Sequence, residues 1–197
     1  MRRTVAILLF DDVEVLDFAG PFEVFAVTDE LADHTLFRVV TVAPEKRPLR
    51  ARNGLSVNPD HDFAGCPPPD LLIVPGGFGT RVLLKNQAVI DWIQSINATA
   101  EIVASVCTGS LVLGRAGLLD GLRATTHHEC FALLREHAPR ATVATDERFV
   151  DTGRIVTGGG ISAGIDLSLH LVARLHGAAT AEKTARHMEY FPSVKIF

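Results

Sequence analysis

Ile102-Val103-Ala104-Ser105-Val106-Cys107-Thr108-Gly109-Ser110 is the stretch whose reading decides the fold. Aliphatic and small residues make a core strand, and the run passes directly into a helical pattern that continues through Arg115. A cysteine at such a strand-to-helix switch occupies a nucleophile elbow. The sharp turn brings together the residues two before and two after it, so both must be small; here they are Ser105 and Gly109. The thiol would face the first free NH groups of the following helix, where the macrodipole favours thiolate over thiol and eases attack near neutral pH. The same position also suits a small apolar filler, because cysteine is among the most buried residue types, and spacing alone leaves both readings open.

Outward from this strand, short aliphatic runs alternate with helical periods, the pattern of an α/β fold with a mostly parallel sheet. Residues 5–10 read as the first buried strand, and Pro21 as a first-turn residue of a helix running to about Asp33. Residues 37–42 form the second strand. Asn53-Gly54, between runs at 49–52 and 55–58, reads as a two-residue hairpin turn. Residues 70–74 make a core strand stopped by Pro75-Gly76-Gly77, and a helix over 87–97 follows with Val89, Ile90 and Ile93 as its apolar stripe. Residues 123–126 make a short strand expected beside the elbow strand, ahead of a helix near Glu129. Thr152-Gly153 marks a second hairpin. Three glycines then precede a helix whose Ile161, Ile165, Leu169 and Val172 share one face, and a last helix runs from about Thr180 to before Pro192. No repeat, low-complexity tract or second domain interrupts residues 1–197.

With 197 residues, 47% of them hydrophobic, the chain can bury one large core, which excludes disorder and, at roughly 150 residues per domain, favours a single unit. Nineteen Lys plus Arg against 23 Asp plus Glu give a net charge of -4 and no basic field for phosphate backbones, so nucleic acid is set aside as a partner. No run approaches the ~20 apolar residues of a membrane span, and the run at 5–10 is shorter than the ~7–15-residue core of a signal peptide. Cys66, Cys107 and Cys130 form no CxxC pair and fit a reducing compartment. The expectation is a soluble cytoplasmic protein.

Two further parts would complete a covalent-catalysis site around Cys107. The NH groups of Gly76 and Gly77 could bind developing negative charge beside the NH of Thr108. Asp11, Asp12, Glu14, Asp17 and Glu23 cluster after the first strand, where parallel sheets bind ligands. Of these, Asp17 is flanked by Val15, Leu16 and Phe18 and is the acid expected in a dry pocket; the others read as solvated surface. Competing motifs are weaker. Gly160-Ile161-Ser162-Ala163-Gly164 matches G-x-S-x-G, but too little chain follows to supply the later Asp and His of a serine hydrolase. Gly158-Gly159-Gly160 with Ala163 fits a dinucleotide fingerprint placed in the last βα turn instead of the first. His127-His128-Glu129 lacks the spacing of metal ligands, although His127 stays of interest through its strand, and His187-Met188-Glu189 lies on a polar helix face. Lys46, Arg47, Arg50 and Arg52 read as charge protecting an exposed edge.

Taken in order, five blocks resemble the ThiJ/PfpI superfamily of class I glutamine amidotransferase-like proteins. They are Leu16-Asp17-Phe18-Ala19-Gly20-Pro21-Phe22-Glu23-Val24-Phe25, Ile73-Val74-Pro75-Gly76-Gly77, Ser105 to Ser110, Arg123-Ala124-Thr125-Thr126-His127, and Thr157 to Asp166. Within the superfamily the resemblance is closest to the isonitrile hydratases. It implies a flavodoxin-like three-layer sandwich with helices on both faces of the sheet, and commonly a homodimer. It makes Cys107 the nucleophile, Asp17 its acid/base partner and Thr108 an assisting residue, with Gly76 or Gly77 as backbone donor and His127 near the substrate. Thr108 stands where peptidase and amidase members carry His, which argues against proteolysis. Regulatory relatives continue into a helix-turn-helix segment, whereas this sequence ends at Phe197, and isonitrile hydratases continue further past the Glu189-Tyr190 region. The implied reaction is cofactor-free and metal-free hydration of an isonitrile to an N-substituted formamide. Sulfur attacks the terminal carbon, an acid protonates carbon or nitrogen, and water displaces sulfur. A sensor or stress protein using the same pocket without turnover, or a glyoxalase or deglycase, are the alternatives the superfamily offers.

Overall fold

The computed structural model describes residues 2–192. The strands are β1 (Arg3–Leu8), β2 (Phe37–Ala43), β3 (Leu49–Arg50), β4 (Ser56–Val57), β5 (His61–Asp62), β6 (Leu71–Val74), β7 (Ile102–Val106), β8 (Arg123–Ala124), β9 (Thr142–Val143), β10 (Phe149–Asp151) and β11 (Ile155–Gly158). The helices are α1 (Val15–Glu30), α2 (Thr80–Leu83), α3 (Gln87–Asn97), α4 (Gly109–Arg115), α5 (Phe131–His137), α6 (Ala163–His176) and α7 (Ala178–His187). Seven strands form one sheet in the order β10-β11-β7-β6-β1-β2-β5, parallel throughout except where β10 meets β11. Val5 to Leu8, all of β6 and all of β7 are buried, as aliphatic runs must be when helices cover both faces of a parallel sheet. Helices α1, α6 and α7 pack together on one side and α2, α3 and α4 on the other, a flavodoxin-like sandwich. Among the described residues no helix is long and apolar enough to cross a membrane.

Topology decides where a site can form. The chain leaves β1 toward β2 and β5, then returns to lay β6 on the opposite side of β1, so strand order reverses between β1 and β6. The loops that follow β1, β6, β7 and β11, four adjacent strands, therefore converge at one end of the sheet. They are pinned to one another: the Glu14 NH donates to the Gly76 carbonyl (2.9 Å), and Val13 and Gly77 form an isolated bridge.

Several local expectations are corrected. Pro21 lies well inside α1, because the helix starts at Val15; the missing NH frees only the carbonyl of Asp17, and the buried ring packs close to Gly164 of α6. Strands β3 and β4 do form a hairpin, but residues 51–55 connect them through a 3-10 turn at Arg52–Gly54, where Asn53 and Gly54 take positive φ. The hairpin is no sheet edge: the Asp12 NH donates to the Arg50 carbonyl (2.7 Å) and the Arg52 NH to the Val13 carbonyl (2.9 Å), clamping it onto the loop after β1. Strand β8 pairs with β9 away from the main sheet, and β7 is flanked by β6 and β11, which match it over four rungs each. Ile161 is not part of the α6 stripe; it sits ahead of the helix at φ 51° and is exposed.

Asp29 ties the end of α1 to the start of β2. Its carboxylate accepts from the NH groups of Leu36 (3.0 Å) and Phe37 (2.9 Å) and pairs with Arg2 (2.6 Å) and His34 (3.1 Å). Burial alone would raise its pKa, but these partners together outweigh burial and hold it below the ordinary value. A depressed carboxylate stabilises the fold above its unfolded pKa, and this is lost as pH falls through the folded one. Asp29→Asn should therefore cost about 1–3 kcal/mol at pH 7 and clearly less near pH 3, read from urea unfolding at both pH values.

Candidate active site

Cys107 adopts φ 56°, a left-handed conformation uncommon for any residue but glycine and one that persists only where the surroundings fix it. Its NH donates to the carbonyls of Gly158 (3.1 Å) and Gly159 (2.9 Å), which hold the turn against the end of β11. The small residues expected around it are needed. Ser105 is fully buried, and a methyl at Gly109 would lie 2.0 Å from the Val74 carbonyl oxygen. The thiol is almost wholly buried, and the NH groups of Thr108 and Ile161, the Asp17 carboxyl and Cys130 all act on it.

Asp17, in the first turn of α1, is fully buried, as its apolar neighbours suggested. Its Oδ2 accepts from the Gly76 NH (2.9 Å), while Oδ1 has no conventional hydrogen-bond partner and the Cys107 thiol stands beside the carboxyl. Burial pushes Asp17 up to about 7, with the Gly76 NH opposing and the Glu14 charge adding. Burial, and then the neighbouring Asp17 charge, push the Cys107 thiol up to about 12. This corrects the expectation of a preformed thiolate. Helix α4 has only seven residues, and desolvation outweighs its dipole together with the two NH groups at the sulfur. Above pH 7 the pair keeps one proton, which resides on sulfur, and below it the carboxyl is protonated as well.

The glycines after β6 serve differently from expectation. The Gly76 NH is engaged by Asp17, and the Gly77 NH donates to the Thr108 hydroxyl (3.0 Å), which also lies near Thr80 (3.3 Å). Neither NH is left for a reacting atom. Their lack of a side chain matters instead: a Cβ at Gly76 would lie 2.5 Å from the Thr108 nitrogen, and one at Gly77 2.3 Å from the Asp12 carbonyl oxygen. Backbones of three loops can meet only because both are glycine.

Cys107 opens into a pocket of about 240 Å³ whose walls include Glu14, Arg52, Phe78, Arg81, His127 and Cys130. Glu14 and Arg52, both read from sequence as surface, form an ion pair here (3.1 Å), and the Arg52 guanidinium lies over the Phe78 ring, 4.3 Å from its centroid. His127 reaches the pocket from the loop after β8, although β8 is not a neighbour of β7. Its ring stacks on His128 (4.4 Å) and its Nδ1 accepts the Glu129 NH (3.3 Å). Burial, reinforced by His128, lowers its pKa and keeps it neutral. A separate hollow of about 290 Å³ lies on the far side of Phe78, and its lining, which includes Phe10, Arg47 and Val82, has no cysteine, serine or histidine. Ser162 of the G-x-S-x-G string accepts from Arg148 (2.9 Å), which also binds the buried Asp166 (2.6 Å) together with the Tyr190 hydroxyl (2.7 Å), a network beneath α6.

Residues 3–174 match the family model described as the DJ-1/PfpI family. The chain belongs to the DJ-1/PfpI family. It is similar to the isonitrile hydratase of Pseudomonas putida, 39% identical over 193 residues that span 98% of this chain and 81% of that protein. It is also similar to the HTH-type transcriptional regulator GbdR of Pseudomonas aeruginosa, 33% identical over 89% of this chain, though it spans only 47% of the regulator. Among solved structures, a ThiJ/PfpI family protein from Pseudomonas syringae superposes with a TM-score of 0.88 at 30% identity, covering 98% of this chain and 77% of that one. DJ-1beta of Drosophila melanogaster superposes at 0.84 with 17% identity and speaks for the fold alone. DJ-1/PfpI relatives thus include an enzyme and regulators on one fold, so the chemistry must be argued from the pocket.

Proposed function

We propose that this chain is an isonitrile hydratase-like hydro-lyase with Cys107 as nucleophile and Asp17 as its proton carrier. The observation that supports this most is the pairing of an elbow thiol with a buried carboxyl whose pKa of about 7 suits it to take and return a proton near neutral pH. Asp17 accepts the thiol proton as sulfur bonds to the terminal carbon of R–NC and delivers it to that carbon, giving the thioformimidate R–N=CH–S–Cys. Water then adds to the same carbon, one of its protons passing to nitrogen. The C–S bond breaks, the second water proton returns to sulfur, and R–NH–CHO leaves. The NH groups of Thr108 and Ile161, both directed at the sulfur, steady its developing charge, which gives Thr108 its assisting role. His127, neutral and in the wall, is a substrate contact. The steps call on no group beyond these and water. The family resemblance further supports a homodimer acting on a small molecule in the cytoplasm.

Cyclohexyl isocyanide and methylglyoxal, each incubated with the purified protein and followed by NMR, test the reading. N-cyclohexylformamide should form and lactate should not. Binding of the isocyanide without formamide would transfer the pocket to a sensor role, in line with the 33% identical regulator.

A further inference from the structure

We propose that Arg81 anchors a carboxylate on the substrate, so that the preferred isonitriles are small isonitrile acids held between this guanidinium and Cys107. The inference rests on the hydratase reading above and narrows its substrate class. Arg81 is half-buried in α2 and lines the same pocket as Cys107. Its Nη1 donates to the Gly77 carbonyl (3.2 Å) and the Thr80 hydroxyl (3.1 Å), and its Nη2 approaches the Cys130 sulfur (4.0 Å), none of them a carboxylate. Among the described residues no carboxylate lies within 4.0 Å of it.

The two carboxylates in this pocket are placed elsewhere. Glu14 is bound by Arg52 at 3.1 Å, and Glu129, largely exposed, lies 4.0 Å from the His128 ring nitrogen. The wall therefore carries one guanidinium that is neutralised and one that is not. Arg81 is also held in place, by Gly77 and Thr80 on one edge and against Phe78, with 5.6 Å from its carbon to the ring centroid. A fixed, planar, always-charged fork with NH groups to spare is the chemistry that selects a carboxylate. The size of the pocket sets the spacer. Arg81 and Cys107 line the same small space, with the Cys130 sulfur 4.0 Å from the guanidinium, so the two functional groups face one compact molecule. A volume of about 240 Å³ admits a compact molecule, below the ~300–1,000 Å³ of pockets for drug-sized ligands. An α- or β-isocyano carboxylate meets all these conditions.

Initial rates of formamide formation from isocyanoacetate, its methyl ester and cyclohexyl isocyanide test the proposal on the wild-type protein. The acid should exceed the ester in kcat/KM by about tenfold or more, chiefly through KM, the scale of a charge-assisted hydrogen-bond pair. The acid-to-ester ratio should fall to about one in Arg81→Gln and recover in part in Arg81→Lys, which a merely structural role would not produce. If the ester or cyclohexyl isocyanide is converted as well as the acid, the anchor is wrong and the hydratase reading stands. If no isonitrile is converted, the hydratase reading fails, and calorimetric titration of isocyanoacetate against its ester decides the anchor. Tighter binding of the acid by wild type keeps it, and equal binding removes it.

Discussion

Asp17→Asn should lower isonitrile turnover by about 10²-fold or more and at the same time raise the melting temperature at pH 8. Cys107→Ala should leave none. The kinetic half follows from where the proton sits. Sulfur holds it near neutral pH, so attack requires an acceptor, and Asn keeps the shape and the Gly76 contact while accepting no proton. The wild-type rate should fall about tenfold per pH unit below roughly 7, as Asp17 becomes protonated and can no longer take the thiol proton, and Asp17→Asn should lose that limb. The stability half has the opposite sign. Asp17 is raised from 3.8 to about 7, so between those values the folded protein binds more protons than the unfolded chain and stability declines as pH rises through the window. Above pH 7 the buried carboxylate costs on the order of 3–4 kcal/mol, which Asn removes. Differential scanning at pH 8 should show a gain of about 5–10 °C that disappears below pH 4. Undiminished turnover in Asp17→Asn would place the proton acceptor elsewhere, and an unchanged melting temperature would mean that the carboxyl is not desolvated.

The parts of this molecule that sequence disclosed are those governed by short-range constraints. The runs of β1, β6 and β7 are legible because burial on both faces leaves continuous aliphatic strands, and α3 because Val89, Ile90 and Ile93 make a clean apolar stripe. The elbow is legible for the same reason: Ser105 and Gly109 are small on account of neighbours fixed by the turn itself. What sequence concealed depends on tertiary return. Nothing local shows that the β3–β4 hairpin folds back on the loop after β1, so Glu14 and Arg52 read as surface although they meet in the pocket wall. Pro21 contradicts a propensity rule because packing of α1 against α6 overrides it. The state of the thiol is not legible, because a dipole is visible in the sequence order and desolvation is not. Nor does the sequence show that the Gly76 and Gly77 NH groups are spent on Asp17 and Thr108, or that both glycines let three backbones touch.

Gly109→Ala should destabilise the protein by at least about 3 kcal/mol, the upper end of what overpacking costs, and should disable the site in whatever remains folded. Gly109 opens α4, and the added methyl would stand 2.0 Å from the Val74 oxygen, 2.8 Å from its carbon and 2.9 Å from the Pro75 oxygen. These are backbone atoms at the end of β6, a strand buried between its neighbours β1 and β7, so no side-chain rotation relieves the clash. Relief requires moving either α4, which carries the elbow, or Pro75-Gly76-Gly77, which holds Asp17 through one NH and Thr108 through the next. Gly121→Ala separates this from a generic loss of glycine. It has φ 74° with nothing within 4 Å, so it carries only the left-handed backbone penalty, about 1–2 kcal/mol. Urea unfolding of the two variants side by side, with formamide production measured below the transition, reads both effects. Gly109→Ala should have much the lower midpoint, and its native fraction should turn over more slowly than that of Gly121→Ala. Equal midpoints would mean that the start of α4 can shift away from β6 without cost, and the tight elbow on which Cys107 and Asp17 are brought together would then not be what sets their geometry.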